Sequence, residues 1–476
     1  MKCFSNIKSF KQINNMTYQP GEEIFRSQPF SYVLMNNALS KVCDFCLRSQ
    51  ENCSLKCCSK CKIIYFCQNS CLEKAWKSYH KHECKCLRKI NNAGKNKSAD
   101  IPQDIVRLLA RIIFKLQKEH GYEDFEILPN GQKRYFIDLM SHKEEIMKWD
   151  NRLMGFHQIY SDLKNYFIPK ENLPSKTEVL EIFGKLMINS FFILSEKDKF
   201  IGKGLFLGAS ILDHSCNPNA VWICKGKELI IKYIGNNEKV DKFSDLRISY
   251  IPNLYENTER RRELLLEDYF FICQCSRCQD EVSDQWKSSF KCSYCSNGFV
   301  PFETENCVIC KHQCDSSRIE KYAKLKIELF EENDDGKKVY ENDESMFEQA
   351  MEIFHPYDED FIQLLNIYFR LRLAQENHVE CLKICQLILT NYHQNIPFHV
   401  NTGLFEVQAA RSCIELNHLE AAESHIKKAK TIFQVIYGDN QNKLVNENCD
   451  QICKIIEEKK RKKMHECMGR TGHLKN

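Results

Sequence analysis

Apolar residues recur at helical spacing in two regions of the chain. PQDIVRLLARIIFKLQKEH has an apolar side chain every three or four residues, and Pro102 at its start suits the first turn of a helix. From about residue 320 onward, helix-forming residues dominate. The densest apolar run, INSFFIL at 188–194, has the size of a core segment and is too short to span a bilayer. The pattern predicts helical regions and no transmembrane helix.

The C-terminal helical region contains an internal repeat. Residues 372–392 and 412–433 align at an offset of forty, and His378 is then aligned with His418. Helical segments that repeat at such a period indicate stacked helical hairpins. We expect both histidines to lie at hairpin turns rather than to bind a ligand. The basic run EEKKRKKMHECMGR is expected to be a solvated helix end.

Length and composition indicate several folded domains. A chain of 476 residues is too long for one hydrophobic core, so about two to four domains are expected. The hydrophobic fraction of 43% and the charged fraction of 28% are typical of a folded, water-soluble chain. The net charge of +4 gives no indication of a general electrostatic attraction to nucleic acid.

Cysteine is the most informative residue type. The chain has 27 cysteines, of which eleven lie between Cys3 and Cys86 and eight between Cys273 and Cys314. The N-terminal sequence MKCFSNIKSFKQINN lacks the apolar segment of a secretory signal. Clustered cysteines without such a signal indicate reduced thiols that bind metal, and not a disulfide framework.

The first cysteine cluster has the spacing of zinc ligands. It reads C-x2-C, C-x2-C, C-x3-C and H-x3-C, and its eight candidate ligands are Cys43, Cys46, Cys58, Cys61, Cys67, Cys71, His80 and Cys84. Thiolates and imidazoles suit tetrahedral zinc, and a segment of about forty residues needs metal to fold. The register stays open, because four further candidates lie nearby: Cys53, Cys57, His82 and Cys86.

Two further cysteine groups follow. Cys273, Cys275 and Cys278 form C-x-C-x2-C, which is one ligand short of a tetrahedral site, and the lone Cys216 of LDHSCNPN is the candidate fourth. The alternative for Cys216 is a buried free thiol. Two C-x2-C pairs with eleven residues between them have the spacing of a zinc ribbon: Cys292, Cys295, Cys307 and Cys310. All groups together predict about four zinc ions.

Segment 43–84 resembles the MYND zinc finger, including Phe66 before the fifth cysteine and Trp76 before the histidine. The resemblance implies interleaved pairs. One zinc would then take Cys43, Cys46, Cys67 and Cys71, and the other would take Cys58, Cys61, His80 and Cys84. It also implies a module that binds proteins, often as proline-rich peptides, and no sequence-specific binding of nucleic acid.

Three later motifs, GKGLFLGASILDHSCNPNAVW, DLRISY and DYFFICQCSRC, resemble the SET domain and post-SET segment of protein lysine methyltransferases. PGEEIFRSQPFSYVL at 20–34 resembles the first SET strands and precedes the finger. A finger inserted into a split SET domain is similar to the Smyd family. The resemblance implies an α+β multidomain fold, with a split β-rich SET domain, the inserted MYND finger, a post-SET zinc knot and C-terminal all-α tetratricopeptide-like repeats.

Seven segments are expected from these motifs. They are the first part of the SET domain at 1–42, the MYND finger at 43–84, a linker and helical insert at 85–179, the SET core at 180–251, the post-SET segment at 252–279, the zinc ribbon at 280–320 and the helical repeats at 321–476.

The resemblance implies transfer of methyl groups from S-adenosylmethionine to lysines of histone or non-histone proteins. Tyr250 matches the family's active-site tyrosine, and Tyr269 matches a second one that lines the lysine channel. The residues expected to border the cofactor are Asn189, Asp213, His214 and Phe271. Methyl transfer needs an aligned, neutral amine away from water, which a tyrosine hydroxyl that is neutral at pH 7 can orient. The segment Asn217-Pro218-Asn219 would shape the crossing of chain segments in this fold.

The chain departs from the family pattern at two positions. Residues 1–20 lack the family's Gly-x-Gly, with SFK at 9–11 about where it belongs, and Asp213 stands where the family has asparagine. Two functions therefore remain open: an active methyltransferase, or a catalytically weak or inactive scaffold that regulates transcription through protein interactions. We expect a monomer in the cytoplasm and nucleus that does not associate with membranes.

Overall fold

The chain combines helices with small antiparallel sheets, which confirms the α+β class. The computed structural model describes residues 18–92, 101–196, 199–235, 240, 242–328, 344–438 and 443–471. Two compact units are present: the first contains 1–213, 219–248 and 268–270, and the second contains 214–218, 249–267 and 271–476. The SFK segment at 9–11 and positions 93–100 of the predicted linker lie outside the described residues.

The strands are short and the helices are longer. Among the described residues the strands are β1 Glu23–Ser27, β2 Pro29–Leu34, β3 Lys56–Cys57, β4 Tyr65–Phe66, β5 Phe125–Ile127, β6 Lys133–Tyr135, β7 Ser190–Leu194, β8 Phe200–Phe206, β9 Asp213–His214, β10 Ala220–Lys225, β11 Glu228–Tyr233, β12 Arg247–Ile248, β13 Ser289–Lys291 and β14 Phe299–Pro301. The helices are α1 Asn69–Ala75, α2 Lys81–Asn92, α3 Asp104–Leu116, α4 Lys143–Lys148, α5 Asp150–Tyr166, α6 Lys176–Asn189, α7 Thr258–Tyr269, α8 Glu281–Gln285, α9 Ser316–Glu328, α10 Glu344–Ile353, α11 Glu359–Ala374, α12 His378–Asn395, α13 Val400–Glu415, α14 Leu419–Tyr437 and α15 Lys443–Thr471. Within the described ranges, none of these helices has the length and apolar character needed to cross a membrane.

Two three-stranded antiparallel sheets form most of the β structure of the first unit. One has the strand order β1-β11-β10 and the other has the order β2-β8-β7. The strands β1 and β2 both fall within PGEEIFRSQPFSYVL, so the strands that the family resemblance implied there are confirmed. Val33 and Leu34 of β2 and Leu229 of β11 are fully buried and belong to the core of this unit.

Helix α3 confirms the helix predicted after position 102, but it begins later than expected. The side chain of Asn36 donates to the carbonyl oxygens of Ile101 and Pro102 at 3.2 Å each. Gln103 is extended (φ −51°, ψ 148°), and its carbonyl accepts the first helical hydrogen bond. Pro102 therefore lies before the helix and not in its first turn. Its carbonyl oxygen accepts a hydrogen bond from the side chain of Asn36.

Two arginines of α3 are fully buried in an ion-pair network. Arg107 lies 3.0 Å from one carboxylate oxygen of Glu83, and Arg111 lies 2.6 Å from the other. Arg111 also contacts Asp44 at 3.1 Å and donates to the carbonyl oxygen of Tyr32 at 2.6 Å. Burial acts to raise the pKa of Glu83, but the guanidinium groups lower it well below its usual value. The network therefore ties α3 to segment 43–84 and to β2.

A β-hairpin occurs where the sequence predicted only a linker and helices. Strands β5 and β6 are joined through Gly131, which has a positive φ of 83°. Glu126 of this hairpin accepts hydrogen bonds from the Ser27 hydroxyl at 2.8 Å, the Gln28 N–H at 2.9 Å and the Gly208 N–H at 2.6 Å. The Asn-Gly pair at 130–131 is a hairpin signal and could have indicated this element.

The C-terminal part of the second unit consists of paired helices. His378 begins α12 and His418 directly precedes α14, so both histidines lie at hairpin turns as predicted. Helix α14 begins at Leu419, 41 residues after α12 begins at His378. The structural repeat is therefore one residue longer than the offset of forty found in the sequence. Glu376 and Asn417 both adopt a positive φ, 56° and 60°, in the turns before these helices. The left-handed turn residue sets the register of each pair, and it is not the same residue type in the two repeats.

We expect Arg111→Met to lower the free energy of unfolding by about 3–5 kcal/mol, because Asp44 would stay buried without its cation. Urea unfolding followed by tryptophan fluorescence would measure this loss. Arg88→Met, on an exposed position of α2, is the matched control and should change stability by less than about 0.5 kcal/mol. A loss as small as the control's would show that the buried network does not hold this unit together.

Candidate functional site: four metal-binding groups and an aromatic cluster

Two groups of four ligand atoms lie in segment 43–84, and each could hold one metal ion. One group consists of Cys43, Cys46, Cys67 and Cys71, and the other consists of Cys58, Cys61, His80 and Cys84. Within each group the ligand atoms lie within 4.8 Å of one another. The pairs are therefore interleaved, in the arrangement that the MYND resemblance implied.

The distances between sulfur atoms fit tetrahedral zinc. Cys46 Sγ lies 3.5 Å from Cys67 Sγ, and Cys67 Sγ lies 3.6 Å from Cys71 Sγ. In the other group, Cys58 Sγ lies 3.9 Å from Cys84 Sγ. Sulfur atoms at about 2.3 Å from one tetrahedral zinc are about 3.8 Å apart. The sulfur atoms are therefore spaced as in a tetrahedral zinc site.

His80 is oriented for ligation through one ring nitrogen. Its Nε2 faces Cys61 Sγ at 3.8 Å, and its Nδ1 faces a carboxylate oxygen of Glu83 at 3.8 Å. The rings of Phe66 and Trp76 approach the imidazole at an angle, with centroids 5.4 and 5.9 Å away. The two aromatic residues of the finger motif therefore hold the imidazole in place, and the carboxylate lies on the side away from the ligand group.

The four competing residues of this segment lie outside both groups. Cys53 donates to a backbone carbonyl oxygen, and Cys57 is exposed. His82 stacks on Phe114 with ring centroids 5.2 Å apart, and Cys86 is buried and donates to the carbonyl oxygen of His82. The structure thereby resolves the register that the spacing alone left open.

Cys216 meets the C-x-C-x2-C trio in the second unit. Its Sγ lies 3.5 Å from Cys278 Sγ, and Cys273 and Cys275 complete a group that could hold a metal ion. Hydrogen bonding to Cys273 raises the pKa of the Cys216 thiol, whereas hydrogen bonding to Cys216 lowers the pKa of Cys275. Four adjacent sulfurs cannot all ionise without a neutralising cation, so the donor set fits a metal ion.

The fourth group lies beside the hairpin of β13 and β14. Cys292 Sγ and Cys310 Sγ are 3.7 Å apart, and Cys295 Sγ and Cys307 Sγ are also 3.7 Å apart. A Cβ at Gly298 would collide with the sulfurs of Cys295 and Cys307, so glycine is required at this position. The two C-x2-C pairs therefore converge as the ribbon spacing predicted.

Two arginines support the Cys216 group, and no sequence motif pointed to their role. Arg261 is fully buried and donates to Cys278 Sγ at 3.5 Å. Arg277 donates to the carbonyl oxygen of Cys216 at 2.9 Å, and burial lowers its pKa to about 10, so it remains charged at pH 7. Positive charges beside four cysteines offset the excess negative charge of such a group. In the sequence, the indication of a role for Arg277 is its position in CSRC, between the candidate ligands Cys275 and Cys278.

His214 connects the Cys216 group to Tyr250. Its Nε2 lies 3.2 Å from Cys216 Sγ, and its Nδ1 accepts a hydrogen bond from the backbone N–H of Tyr250 at 3.0 Å. Burial lowers the pKa of His214 to about 4, so the ring is neutral at pH 7. Because Nδ1 accepts, the proton of the neutral ring is on Nε2, where it can be donated to the sulfur. The cysteine group thereby fixes the backbone at Tyr250.

His214, Tyr250 and Phe271 form an aromatic cluster in the second unit. The ring centroid of His214 lies 5.4 Å from that of Tyr250 and 6.1 Å from that of Phe271. Tyr250 and Phe271 are half-buried and nearly perpendicular, at 88° and 6.4 Å. Strand β12 ends at Ile248, so Tyr250 lies two residues after the strand. The cause is Ser249, whose hydroxyl takes up backbone hydrogen bonds of Ile251.

Tyr269 and Asn189 belong to the first unit. Burial, with a further contribution from Asp268, raises the pKa of Tyr269 to about 12, so its hydroxyl is neutral at pH 7. The amide of Asn189, at the end of α6, donates to the carbonyl oxygens of Met140 at 3.0 Å and Lys185 at 2.8 Å. These bonds fix the side chain of Asn189.

Asp213 and Asn219 also belong to the first unit and differ in exposure. The Asp213 side chain is 77% exposed, and its carboxylate lies 3.9 Å from the guanidinium of Arg247. Asn219 is buried, accepts from the backbone N–H of Arg247 at 2.7 Å and donates to the carbonyl oxygen of Asp245 at 3.0 Å. Asn219 therefore holds its own segment to residues 245–247, whereas Asp213 faces solvent.

The chain is similar in sequence to lysine methyltransferases of animals and a plant. It is 32% identical to human "Histone-lysine N-methyltransferase SMYD3" over 271 residues, which cover 56% of this chain and 58% of that protein. It is 26% identical to "Histone-lysine N-methyltransferase ASHR1" of Arabidopsis thaliana over 443 residues, 88% of each chain. With human "N-lysine methyltransferase SMYD2" the identity is 24% over 432 residues, 88% of this chain and 90% of that one. No family model matches the chain. The relatives confirm the resemblance that the motifs indicated.

Elemental analysis of the purified chain should find about four zinc ions, one for each ligand group. The exposed Cys57 belongs to no group, so Cys57→Ser should keep the full zinc content and serves as the control. Two or fewer ions in the wild-type chain would contradict the assignment of the Cys216 and Cys292 groups.

We expect Cys216→Ser and Cys275→Ser each to lose about one zinc ion and to lower the melting temperature of the chain by a similar amount. Each variant leaves three sulfurs, and metal binding contributes to folding free energy. Zinc content and thermal unfolding measured on both variants would test this. Full zinc content and unchanged melting of Cys216→Ser would show that this residue is a free thiol.

Proposed function

Because the chain belongs to the Smyd family of SET and MYND domain proteins, we propose that it is a protein-lysine N-methyltransferase that uses S-adenosylmethionine. The proposed substrates are lysine side chains of proteins, either histones or others. The names of its relatives support this activity, and the chain has the aromatic residues that the family pattern requires. The observation that carries the proposal is the cluster of His214, Tyr250 and Phe271, held by the Cys216 group.

The aromatic cluster fits the chemistry of the cofactor. Tyr250 and Phe271 are half-buried and perpendicular, so they offer π faces as well as ring edges. Aromatic faces attract cations such as a sulfonium and stack on flat rings such as adenine. The neutral ring of His214 adds no positive charge that would repel a sulfonium.

The proposed reaction forms a bond between the methyl carbon and the lysine nitrogen while the bond from that carbon to sulfur breaks. S-adenosylmethionine supplies a methyl carbon that its sulfonium already activates. The amine must therefore arrive neutral, and the methylated product is an ammonium that later loses a proton to water. We assign Tyr250 the task of orienting the amine, because its hydroxyl can accept an N–H and so direct the nitrogen lone pair. Tyr269 is proposed to line the lysine channel, and its hydroxyl is neutral at pH 7.

Among the residues proposed to border the cofactor, His214 and Phe271 belong to this cluster. Asn189 matches the family pattern, whereas Asp213 stands where the family has asparagine. We propose that both border the cofactor. The amide of Asn189 is fixed by hydrogen bonds, and the carboxylate of Asp213 is exposed.

The proposed organisation keeps the seven segments predicted from the sequence. The predicted borders at 84, 179 and 320 fall inside α2, α6 and α9. We move the last two to the beginnings of their helices, Lys176 and Ser316, and keep the border at 84 because Cys84 is a candidate ligand of the finger. We propose four zinc ions, a MYND finger that binds proline-rich peptides and a tetratricopeptide-like helical domain. We also propose that the protein is a monomer and acts in the cytoplasm and nucleus.

We expect Tyr250→Phe to reduce kcat by about 100-fold or more while the Kd for S-adenosylmethionine changes less than about twofold. The hydroxyl acts on the amine in the transition state, whereas the ring supplies the ground-state contacts. Radiolabelled methyl transfer to histones and to a cell extract, together with calorimetric titration of the cofactor, measures both quantities. Tyr294→Phe removes an exposed tyrosine hydroxyl in the ribbon and is the matched control.

Three outcomes separate the possibilities. Full activity of Tyr250→Phe would show that the catalytic tyrosine is assigned wrongly, although the chain is an enzyme. A wild-type chain that binds no S-adenosylmethionine would rule out the methyltransferase and leave the interaction scaffold. Loss of activity together with loss of zinc would indicate that the substitution damaged the fold, so zinc content is measured on every variant.

A further inference from the structure

Phe270 has a backbone conformation that is unusual for its residue type. Helix α7 ends at Tyr269, and Phe270 follows it with a positive φ of 62°. Glycine is the usual residue in this conformation after a helix, because the Cβ of any other residue crowds the backbone there. The strain at Phe270 is therefore offset by contacts of its ring, which a glycine could not make.

The half-buried ring of Phe270 packs against two aromatic side chains. Its centroid lies 5.2 Å from that of His142, at an interplanar angle of 31°, and 5.6 Å from that of Trp149, at 76°. His142 directly precedes α4 and Trp149 directly follows it. Both ends of α4 therefore contact the same ring, and all of these residues belong to the first unit.

His142 shares the unusual backbone conformation of Phe270. It is left-handed, with φ 49° and ψ 35°, and its side chain makes no capping hydrogen bond to α4. Two residues other than glycine thus adopt a positive φ and contact each other through their rings. Strained residues persist where the surrounding structure fixes them, and they are most frequent at functional sites.

The segment that carries His142 is fixed by α6. The carbonyl oxygen of Ser141 lies so close to Gly184 that a Cβ there would be 2.1 Å from it, so glycine is required at this position. Five residues later, the amide of Asn189 donates to the carbonyl oxygen of Met140 at 3.0 Å. Helix α6, which ends at one proposed cofactor residue, therefore sets the place of the imidazole that holds Phe270.

Tyr269 lies between two anchored neighbours. The carboxylate of Asp268 contacts the guanidinium of Arg152 in α5 at 2.5 Å, and the ring of Phe270 is held by the two ends of α4. An ion pair with a carboxylate as exposed as this one adds little to stability, but it restrains the direction of the backbone. Restraints on both sides leave the backbone of Tyr269 little freedom, so its side chain keeps one direction.

We propose that Phe270, held by His142 and Trp149, is a positioning residue that directs the side chain of Tyr269 for methyl transfer. This role rests on the proposed function, in which Tyr269 lines the lysine channel. Transfer between aligned groups is sensitive to a displacement of about 1 Å, so a tyrosine with several directions would lower the rate. Phe270 acts through Tyr269 and is not itself catalytic.

Kinetics of the zinc-loaded full chain test the proposal. Phe270→Gly removes the ring and tolerates the positive φ, so the end of α7 can keep its conformation. We expect kcat for radiolabelled methyl transfer to histones to fall about tenfold or more, while the Kd for S-adenosylmethionine changes less than about twofold. Phe270→Tyr keeps the ring and should keep kcat within about twofold. Glu376→Gly, at an exposed position with a φ of 56°, is the matched control.

A double-variant cycle shows whether the two rings act together. Trp149→Ala should lower kcat by a similar factor, because it removes one of the rings that hold Phe270. The combined variant should then lose little more than either single variant, whereas losses that multiply would contradict the proposal. Zinc content and melting temperature are measured on each variant, and Trp149→Ala carries the test if Phe270→Gly misfolds.

Fluorine NMR separates this role from the proposed function. A 3-fluorotyrosine placed only at position 269 reports the directions that this side chain adopts. We expect one narrow resonance in the otherwise wild-type chain and in Phe270→Tyr, and a broadened or split resonance in Phe270→Gly and Trp149→Ala. A wild-type chain without methyl transfer would remove the proposed function, and the resonance would still decide whether Phe270 directs Tyr269.

Two results would overturn the positioning role. One is a fluorine resonance that stays single and narrow in both Phe270→Gly and Trp149→Ala. The other is an active wild type whose Phe270→Gly variant either keeps full kcat or loses kcat and cofactor affinity by the same factor. The latter loss would mean general damage to the first unit and not a change in the direction of one side chain.

Discussion

The candidate active site depends on the contact between Cys216 and Cys278, which are 62 residues apart in the chain. His214 lies two positions from Cys216, points its Nε2 at that sulfur and holds the backbone of Tyr250 with its Nδ1. Closing a loop of this length costs conformational entropy, and metal binding offers free energy to offset it. A metal-binding group that takes no part in the proposed chemistry thus sets the position of the tyrosine that does. The buried Arg261 and the half-buried Arg277 place positive charge beside the sulfurs and the backbone of Cys216, which offsets the negative charge of this group.

Buried charge has the corresponding role in the first unit. Glu83 stands in the sequence between two candidate metal ligands, His80 and Cys84, and both of its oxygens contact arginines of α3. Segment 43–84 is therefore attached to the helix by directed ion pairs as well as by apolar contacts. Such pairs add little net stability, because the charges lose their hydration, but a wrong orientation would leave a charge buried without a partner. The ion pairs therefore specify how this segment is oriented on α3.

Four buried or half-buried glutamates among the described residues differ in how their oxygens are partnered. Glu83 has two guanidinium partners, and Glu126 accepts from one hydroxyl and two backbone N–H groups. Glu406 contacts the imidazoles of two histidines on neighbouring helices. Each of these carboxylates has partners on both oxygens, whereas Glu256 has a partner on one oxygen only.

The sequence by itself determined the features that depend on short spacing. Candidate ligand pairs two to four residues apart, the helical periodicity of α3 and the repeat of the C-terminal helices are all local properties, and each is present in the structure. The incomplete C-x-C-x2-C trio indicated Cys216 as a distant candidate for the fourth ligand, and the family motifs added the interleaving of the finger pairs. Only the tertiary structure decided which polar groups face one another. Examples are the two arginines of α3 inside an ion-pair network, the hydrogen bonds of Glu126 and the ring proton of His214. The 41-residue period of the repeat also became visible only in the structure. A left-handed turn residue sets the register, and a glutamate such as Glu376 gives no sequence signal for that conformation. A side chain's partner is supplied by distant parts of the chain, and spacing along the sequence cannot specify it.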